Sequence, residues 1–172
     1  GSTCGVDTIY YNYNRTSQFQ AVNLTTTVNV DVFAQYFDAP QTITVHGFDF
    51  YAWQSSGTSA VVSITAKLYL ATTDSLPLGA PLRSVVVNID SAFGSGQLSV
   101  LRKSAVFPTP ATVSSAYILI LETTSSTNVS VVTNSYQNGD GDQEWLSAVR
   151  INSNFVRSHQ VSVGGVSMNA DF

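Results

Sequence analysis

Residues 42–53 read TITVHGFDFYAW, and this stretch limits the possible folds more than any other in the chain. Apolar and aromatic residues recur along it with the two-residue period of a strand, and Gly47 interrupts that period where a β-bulge would. With one extra residue at Gly47, the side chains of Val45, Phe48, Phe50 and Ala52 point into a core. Asp49, Tyr51 and Trp53 then take the opposite face. Phenylalanine inside with tyrosine and tryptophan outside is what a ligand-binding β-sandwich presents.

The cleanest alternation follows directly. Across residues 60–71, Val62, Ile64, Ala66, Leu68 and Leu70 share one face, and Val61, Ser63, Thr65, Lys67 and Tyr69 share the other, which fixes the register of their sheet. Residues 6–13 alternate aromatic and polar side chains as an edge-like first strand would, and residues 19–24 make a short second one. Val28, Val30 and Val32 alternate before the period slips at Phe33, ahead of a turn at Asp38, Ala39 and Pro40. Pro77, Gly79 and Pro81 predict a loop over residues 72–81, and Pro108 and Pro110 a rigid connection after a strand that ends at Phe107.

Strand character resumes over residues 82–89 and 98–107. Residues 117–121, YILIL, are continuously apolar, as in a strand buried on both faces. Residues 129–133 and 145–151 flank the acidic stretch described below, and Gly164-Gly165 divides residues 155–163 from 166–172 as a hairpin turn would. About eleven short strands with turn signals between them, and no helical period, predict one antiparallel β-sandwich of jelly-roll-like form. The 172 residues suit one such domain over 6–172, with residues 1–5 as a flexible start in which Gly1 and Ser2 read as a cloning remnant.

Charged residues make up 10% of the chain, so hydroxyls and amides carry its solubility, a composition commoner outside the cell. Seven basic residues are scattered along it and the formal net charge is −4, which gives no footprint for a phosphate backbone and argues against nucleic acid as a partner. The one cysteine, Cys4, has no partner for an internal disulfide. No apolar run is long enough to insert into a membrane as a helix, and no signal-peptide pattern stands at the start. The chain is therefore expected to be a piece of a longer secreted or cell-surface protein.

Two groups of residues can carry binding chemistry. Asp49, Tyr51 and Trp53 combine flat aromatic faces, which suit the apolar faces of sugar rings, with a carboxylate that accepts hydrogen bonds from hydroxyls. The alternative is that these aromatics pack under a loop or a second layer. Residues 138–144, NGDGDQE, bring Asp140, Asp142 and Glu144 close together on a glycine-flexed segment. Such carboxylates can supply oxygens to calcium, or they can form a solvated turn before Trp145. The spacing departs from an EF-hand loop, because glycine does not stand sixth and no glutamate follows at the twelfth place.

Catalytic patterns are missing from the sequence. Of the two histidines, neither His46 nor His159 lies in a nucleophile setting such as G-x-S-x-G, and no basic residue adjoins Cys4. A glycosidase would need two facing carboxylates, for which Asp49, Glu122 and Glu144 are the candidates. A non-catalytic role is expected, with a glycan-active enzyme as the remaining alternative.

Residues 33–37 (FAQYF), 43–45 (ITV), 47–50 (GFDF) and 74–82 (DSLPLGAPL) together resemble β-sandwich modules in large secreted and cell-surface proteins of Bacteroidetes. Those modules accompany adhesin-like repeats, proteases or carbohydrate-active domains, upstream of a C-terminal sorting signal. The resemblance implies a jelly-roll-like frame, an extracellular or surface location and neighbouring domains in the parent protein; it carries no site residues. Within that setting, Asp7-Thr8-Ile9, Asp74-Ser75-Leu76 and Asp90-Ser91-Ala92 resemble the acceptor pattern for O-glycosylation, which would place sugar on Thr8, Ser75 or Ser91. The expected role is adhesion or glycan recognition, and its rival is a structural spacer without a ligand of its own.

Overall fold

The computed structural model describes residues 19–26, 30–54, 61–89, 102–126, 129–134, 146–163 and 166–167. Eight strands form its frame: β1 (Phe19–Leu24), β2 (Val30–Phe37), β3 (Ile43–Gln54), β4 (Val62–Ala71), β5 (Pro77–Ile89), β6 (Arg102–Val113), β7 (Tyr117–Thr123) and β8 (Val129–Asn134). They pair antiparallel in nested fashion, β4 with β5, β3 with β6, β2 with β7 and β1 with β8. One long hairpin rolled over itself gives this pattern, and it is the topology of a jelly roll. The roll leaves two antiparallel sheets. One has the order β1-β8-β3-β6, and the other β2-β7-β4-β5, extended beyond β2 by β9 (Ser147–Ile151) and β10 (Asn154–Arg157).

Alternation places the core. Val22, Leu24, Phe50, Ala52, Val129 and Val131 from the four-stranded sheet meet Phe33, Val62, Ile64, Ala66, Leu121 and Val149 from the six-stranded sheet. Toward one end Val45, Phe107, Ala111 and Val113 meet Leu68, Tyr117 and Leu119, with Phe37 stacked on Tyr117 at a centroid distance of 5.4 Å. Each large side chain enclosed there contributes about 1.5–3 kcal/mol. The buried Gln54 side chain donates from Nε2 to the Ile89 carbonyl at 2.9 Å, a polar tie between the two layers.

The six-stranded sheet is apolar on its outer side as well. Val32, Ala34, Ile118, Ile120 and Ala148 form a separate buried cluster there, with Tyr36, Tyr69, Leu76 and Phe155 packed against it. This accounts for the unbroken apolar run of β7, which is buried on both faces. It also corrects the reading of β2. The irregularity lies between Val30 and Val32, where the register against β9 shifts, and not at Phe33. From Val32 onward the alternation is regular; it looks broken because both of its faces are covered.

Prolines gave a second mismatch. The loop expected through residue 81 is already strand from Pro77, and the connection expected at Pro108 and Pro110 lies inside β6. Both strands are sheet edges, where proline costs no ladder bond on the open side. Both are also bulged at the prolines. Register passes from Leu68–Arg83 to Leu70–Leu78, so residues 79–82 bow out opposite Tyr69, and Gly79 supplies the positive φ of 66°. It passes likewise from Val45–Ala111 to Gly47–Val106, so residues 107–110 bow out opposite His46. The two bulges meet. From Arg83, Nε donates to the Thr109 carbonyl at 2.7 Å and Nη2 to the Pro110 carbonyl at 2.8 Å, which joins the edges of the two sheets.

The last segment is more divided than its sequence suggests. Asn152 (φ 49°) and Ser153 (φ 68°) turn β9 into β10 with the left-handed pair of a type I′ hairpin. A single 3-10 turn, Ser158–Gln160, interrupts the strand expected over residues 155–163. The hairpin expected at Gly164-Gly165 forms from two short strands, β11 (Ser162–Val163) and β12 (Val166–Ser167), with Val163 opposite Val166. The strands expected at residues 6–13 and 98–101 lie outside the described residues.

Gly47 is required by its neighbour across the ladder. A Cβ at that position would stand 2.1 Å from the Ala105 carbonyl oxygen, and the obstacle is backbone, which cannot rotate away. Gly47→Ala should therefore lower unfolding stability by about 3 kcal/mol, the upper range for overpacking. Urea denaturation measures this, and a loss under about 1 kcal/mol would show that β3 and β6 can part without cost.

Candidate functional site

The β3 strand delivers its two faces as its spacing predicts. Val45, Phe50 and Ala52 are buried between the sheets with Phe48 packed beside them, and Asp49, Tyr51 and Trp53 stand on the outer face of the four-stranded sheet. Tyr51 and Trp53 are half-buried rather than open. Across the ladder Tyr51 faces Arg102, Asp49 faces Ser104, and on the other side Trp53 faces Ser130. The Ser130 hydroxyl in turn donates to Asn23 Oδ1 at 2.6 Å, so polar groups line the sheet from β1 to β6.

The Asp49 carboxylate is held in place by β6. Arg102 donates to its Oδ2 from Nε, at 3.0 Å, and from Nη2, and the Ser104 hydroxyl donates to its Oδ1 at 2.6 Å. Partial burial alone would raise its pKa. The hydrogen bonds from Ser104 and Arg102, with the Arg102 charge, outweigh that and keep the carboxyl below its ordinary value. Three of about four acceptor positions are thereby filled. The site gains a fixed orientation and keeps room for one more donor. Arg102 and Ser104 were not among the residues singled out in the sequence, although two strands paired in register make a basic residue opposite an outward aromatic a natural place to look.

The opposite side of the sandwich carries a second polar arrangement that sequence reasoning did not find. On the outer face of the six-stranded sheet, Arg150 donates to Asp31 through both Nε, at 2.9 Å, and Nη2, at 2.6 Å, and Nη2 also reaches Glu122 Oε1 at 2.6 Å. Lys67 donates to Glu122 Oε2. Four strands, β9, β2, β7 and β4, contribute one charge each, two of either sign. The Glu122 side chain is 13% exposed, yet its carboxyl titrates below the usual glutamate value, because the hydrogen bonds and charges of Lys67 and Arg150 overcome the desolvation that would raise it. Beside this network lies a cleft of about 140 Å³ lined by Val32, Tyr69, Pro77, Gly79, Ile120, Glu122, Arg150 and Phe155.

Of the carboxylates considered for glycoside hydrolysis, Asp49 and Glu122 lie on opposite outer faces and do not approach each other. Asp140, Asp142 and Glu144, considered for calcium, lie outside the described residues, and no group of three metal-binding side chains occurs among the described ones. Of the three serines and threonines considered for glycosylation, only Ser75 is described. It sits in the turn between β4 and β5 at φ 58°, its N–H donating to the Thr72 carbonyl at 3.0 Å. His46 is exposed opposite the β6 bulge. No helix among the described residues is long and apolar enough to cross a membrane.

The Glu122 network makes stability depend on pH in a definite sense. A carboxyl whose folded pKa is depressed contributes stability above its unfolded value, near 4.5, and that contribution is lost as pH falls through the folded value. Glu122→Gln should cost about 1–2 kcal/mol at pH 7, between an exposed and a fully buried pair. It should also flatten the fall in stability below pH 4.5 relative to the natural chain. Equal acid sensitivity in both proteins would show that other carboxylates govern it. Comparison with known protein families, with curated proteins and with solved structures finds no match to this chain.

Proposed function

We propose that the chain is a non-catalytic binding module of a larger secreted or cell-surface protein, and that it recognises carbohydrate through the outer face of its four-stranded sheet. The observation that carries this reading is the row on β3. Tyr51 and Trp53 stand two residues apart on one face, and the next outward residue, Asp49, is a carboxylate oriented by Arg102 and Ser104. A sugar needs an aromatic surface for the C–H groups of its ring and fixed acceptors and donors for its hydroxyls. Both kinds of group are here, on a strand anchored by the core beneath it. The low charge content of the surface, 10% over the chain, suits the extracellular setting proposed.

The rival is a spacer with no ligand, and it draws on one observation. Both aromatics are already half-buried, which reduces the area they could cover in a complex. A glycan array probed with the natural chain separates the two. Under the proposal at least one oligosaccharide is retained, and Trp53→Ala weakens that binding about tenfold or more, as expected when an aromatic anchor is removed. Retention of nothing, or binding indifferent to both Trp53→Ala and Tyr51→Ala, favours the spacer.

A further inference from the structure

The cleft on the other sheet has walls that the eight-strand roll does not require. Phe155 comes from the β9–β10 hairpin, added outside the roll, and Pro77 and Gly79 come from the start of edge strand β5, where its bulge begins. Arg157 at the end of β10 donates to the Asp74 carbonyl in the turn before β5, so the two walls are tied to each other over the sheet. The floor between them is Val32 and Ile120, both buried, with Glu122 and Arg150 at its side.

The chemistry of this enclosure is specific. Lys67 and Arg150 balance Asp31 and Glu122, so the cleft has strong local hydrogen-bonding groups and no net charge to attract an ion. A partly buried network of this kind adds little to stability that apolar packing would not supply, so a different role accounts better for its position. Its capacity is also not used up. Each Glu122 oxygen accepts one hydrogen bond, from Arg150 and from Lys67 respectively, which leaves about half of the acceptor positions of that carboxylate. Among the described residues, none accepts from Arg150 Nη1 or bonds to the Tyr69 hydroxyl. Tyr69 and Phe155 add aromatic surface. At about 140 Å³ the space falls below the roughly 300 Å³ at which sites for drug-sized ligands begin, so it holds one ring and not a chain of them.

We propose that this cleft is a second binding site, on the opposite side of the sandwich from Trp53, and that it takes a single neutral hydroxylated ring such as one sugar residue. Tyr69 and Phe155 cover the ring, Glu122 accepts from its hydroxyls, and Arg150 and the Tyr69 hydroxyl donate to its oxygens. An anionic ring would be repelled by Glu122 and Asp31 as much as it is drawn by the cations. The site shares no residue with the β3 face, so either can fail without the other.

The test uses the natural chain and the methyl glycosides of glucose, galactose, mannose, fucose and N-acetylglucosamine, followed by ligand-observed NMR and amide shift mapping at millimolar concentrations. One ring with few contacts should bind with a millimolar Kd. At least one glycoside should bind and shift amides of β7, β9 and β10. Tyr69→Phe, which keeps the ring and removes one hydroxyl, should raise its Kd about fivefold, the effect of one hydrogen bond. Phe155→Leu, on the added hairpin, should raise it similarly and serves if Tyr69→Phe unfolds. Binding by none of the five overturns the proposal. So does a bound glycoside whose Kd both variants leave unchanged, or one released by Trp53→Ala alone, which would put the sugar on the β3 face and leave the reading of that face standing.

Discussion

Nested antiparallel pairing is the constraint from which the rest of the molecule follows. Once β4 and β5 are joined, β7 must lie against the free side of β4, and β2 against β7, so the six-stranded sheet is fixed from its inside outward. β3 and β6 are carried to the other layer by the same roll, and β8 and β1 follow them there. The contacts that hold this arrangement join residues far apart in the chain, such as Ser130 with Asn23, and closing such long loops makes the fold depend on many cooperative contacts rather than on any local preference. Apolar alternation supplies them: where β4 places Ile64, Ala66 and Leu68 inward, a shift by one residue would expose all three.

Against that frame the few charges stand out by position. Asp31, Glu122, Lys67 and Arg150 come from four different strands of one sheet, and Asp49 and Arg102 from adjacent strands of the other. The two groups have different environments. The Asp49–Arg102 pair is partly open to water, with side-chain exposures of 34% and 54%, and contributes orientation more than energy. The Glu122 network is more enclosed, sits over Val32 and Ile120, and keeps its carboxylate ionised inside a largely apolar surface.

Much of the fold could be read from residue pattern alone, because period-two alternation with one covered face is a strong signal. The register break beside Gly47, the two faces of β3 and β4, and the doubly buried β7 all follow from it, although the residues that bow out at that break, 107–110, belong to β6. Pattern failed where two effects act together. In β2 a covered outer face hides the alternation, so a bulge beside Val32 reads as a slip at Phe33. In β5 and β6 the prolines read as breaks, since sequence does not say which strands will be edges. The same limit applies to sites. Asp49, Tyr51 and Trp53 are neighbours along one strand and could be found together, whereas Glu122, Arg150, Tyr69 and Phe155 meet only through pairing of distant segments.

The meeting of the β5 and β6 bulges has a consequence for how copies of this protein behave in a crowd. A sheet grows by adding a strand to a straight row of free amides and carbonyls, and fibres begin in this way. At this corner the row is broken: prolines at 77, 81, 108 and 110 have no amide hydrogen, residues 79–82 and 107–110 bow away, and Arg83 already occupies the carbonyls of Thr109 and Pro110. A chain with so few charges cannot rely on mutual repulsion to keep its copies separate, least of all in salt water, where such repulsion fades within about 10 Å. Here the deterrent to fibre growth is shape, which no change in ionic strength removes.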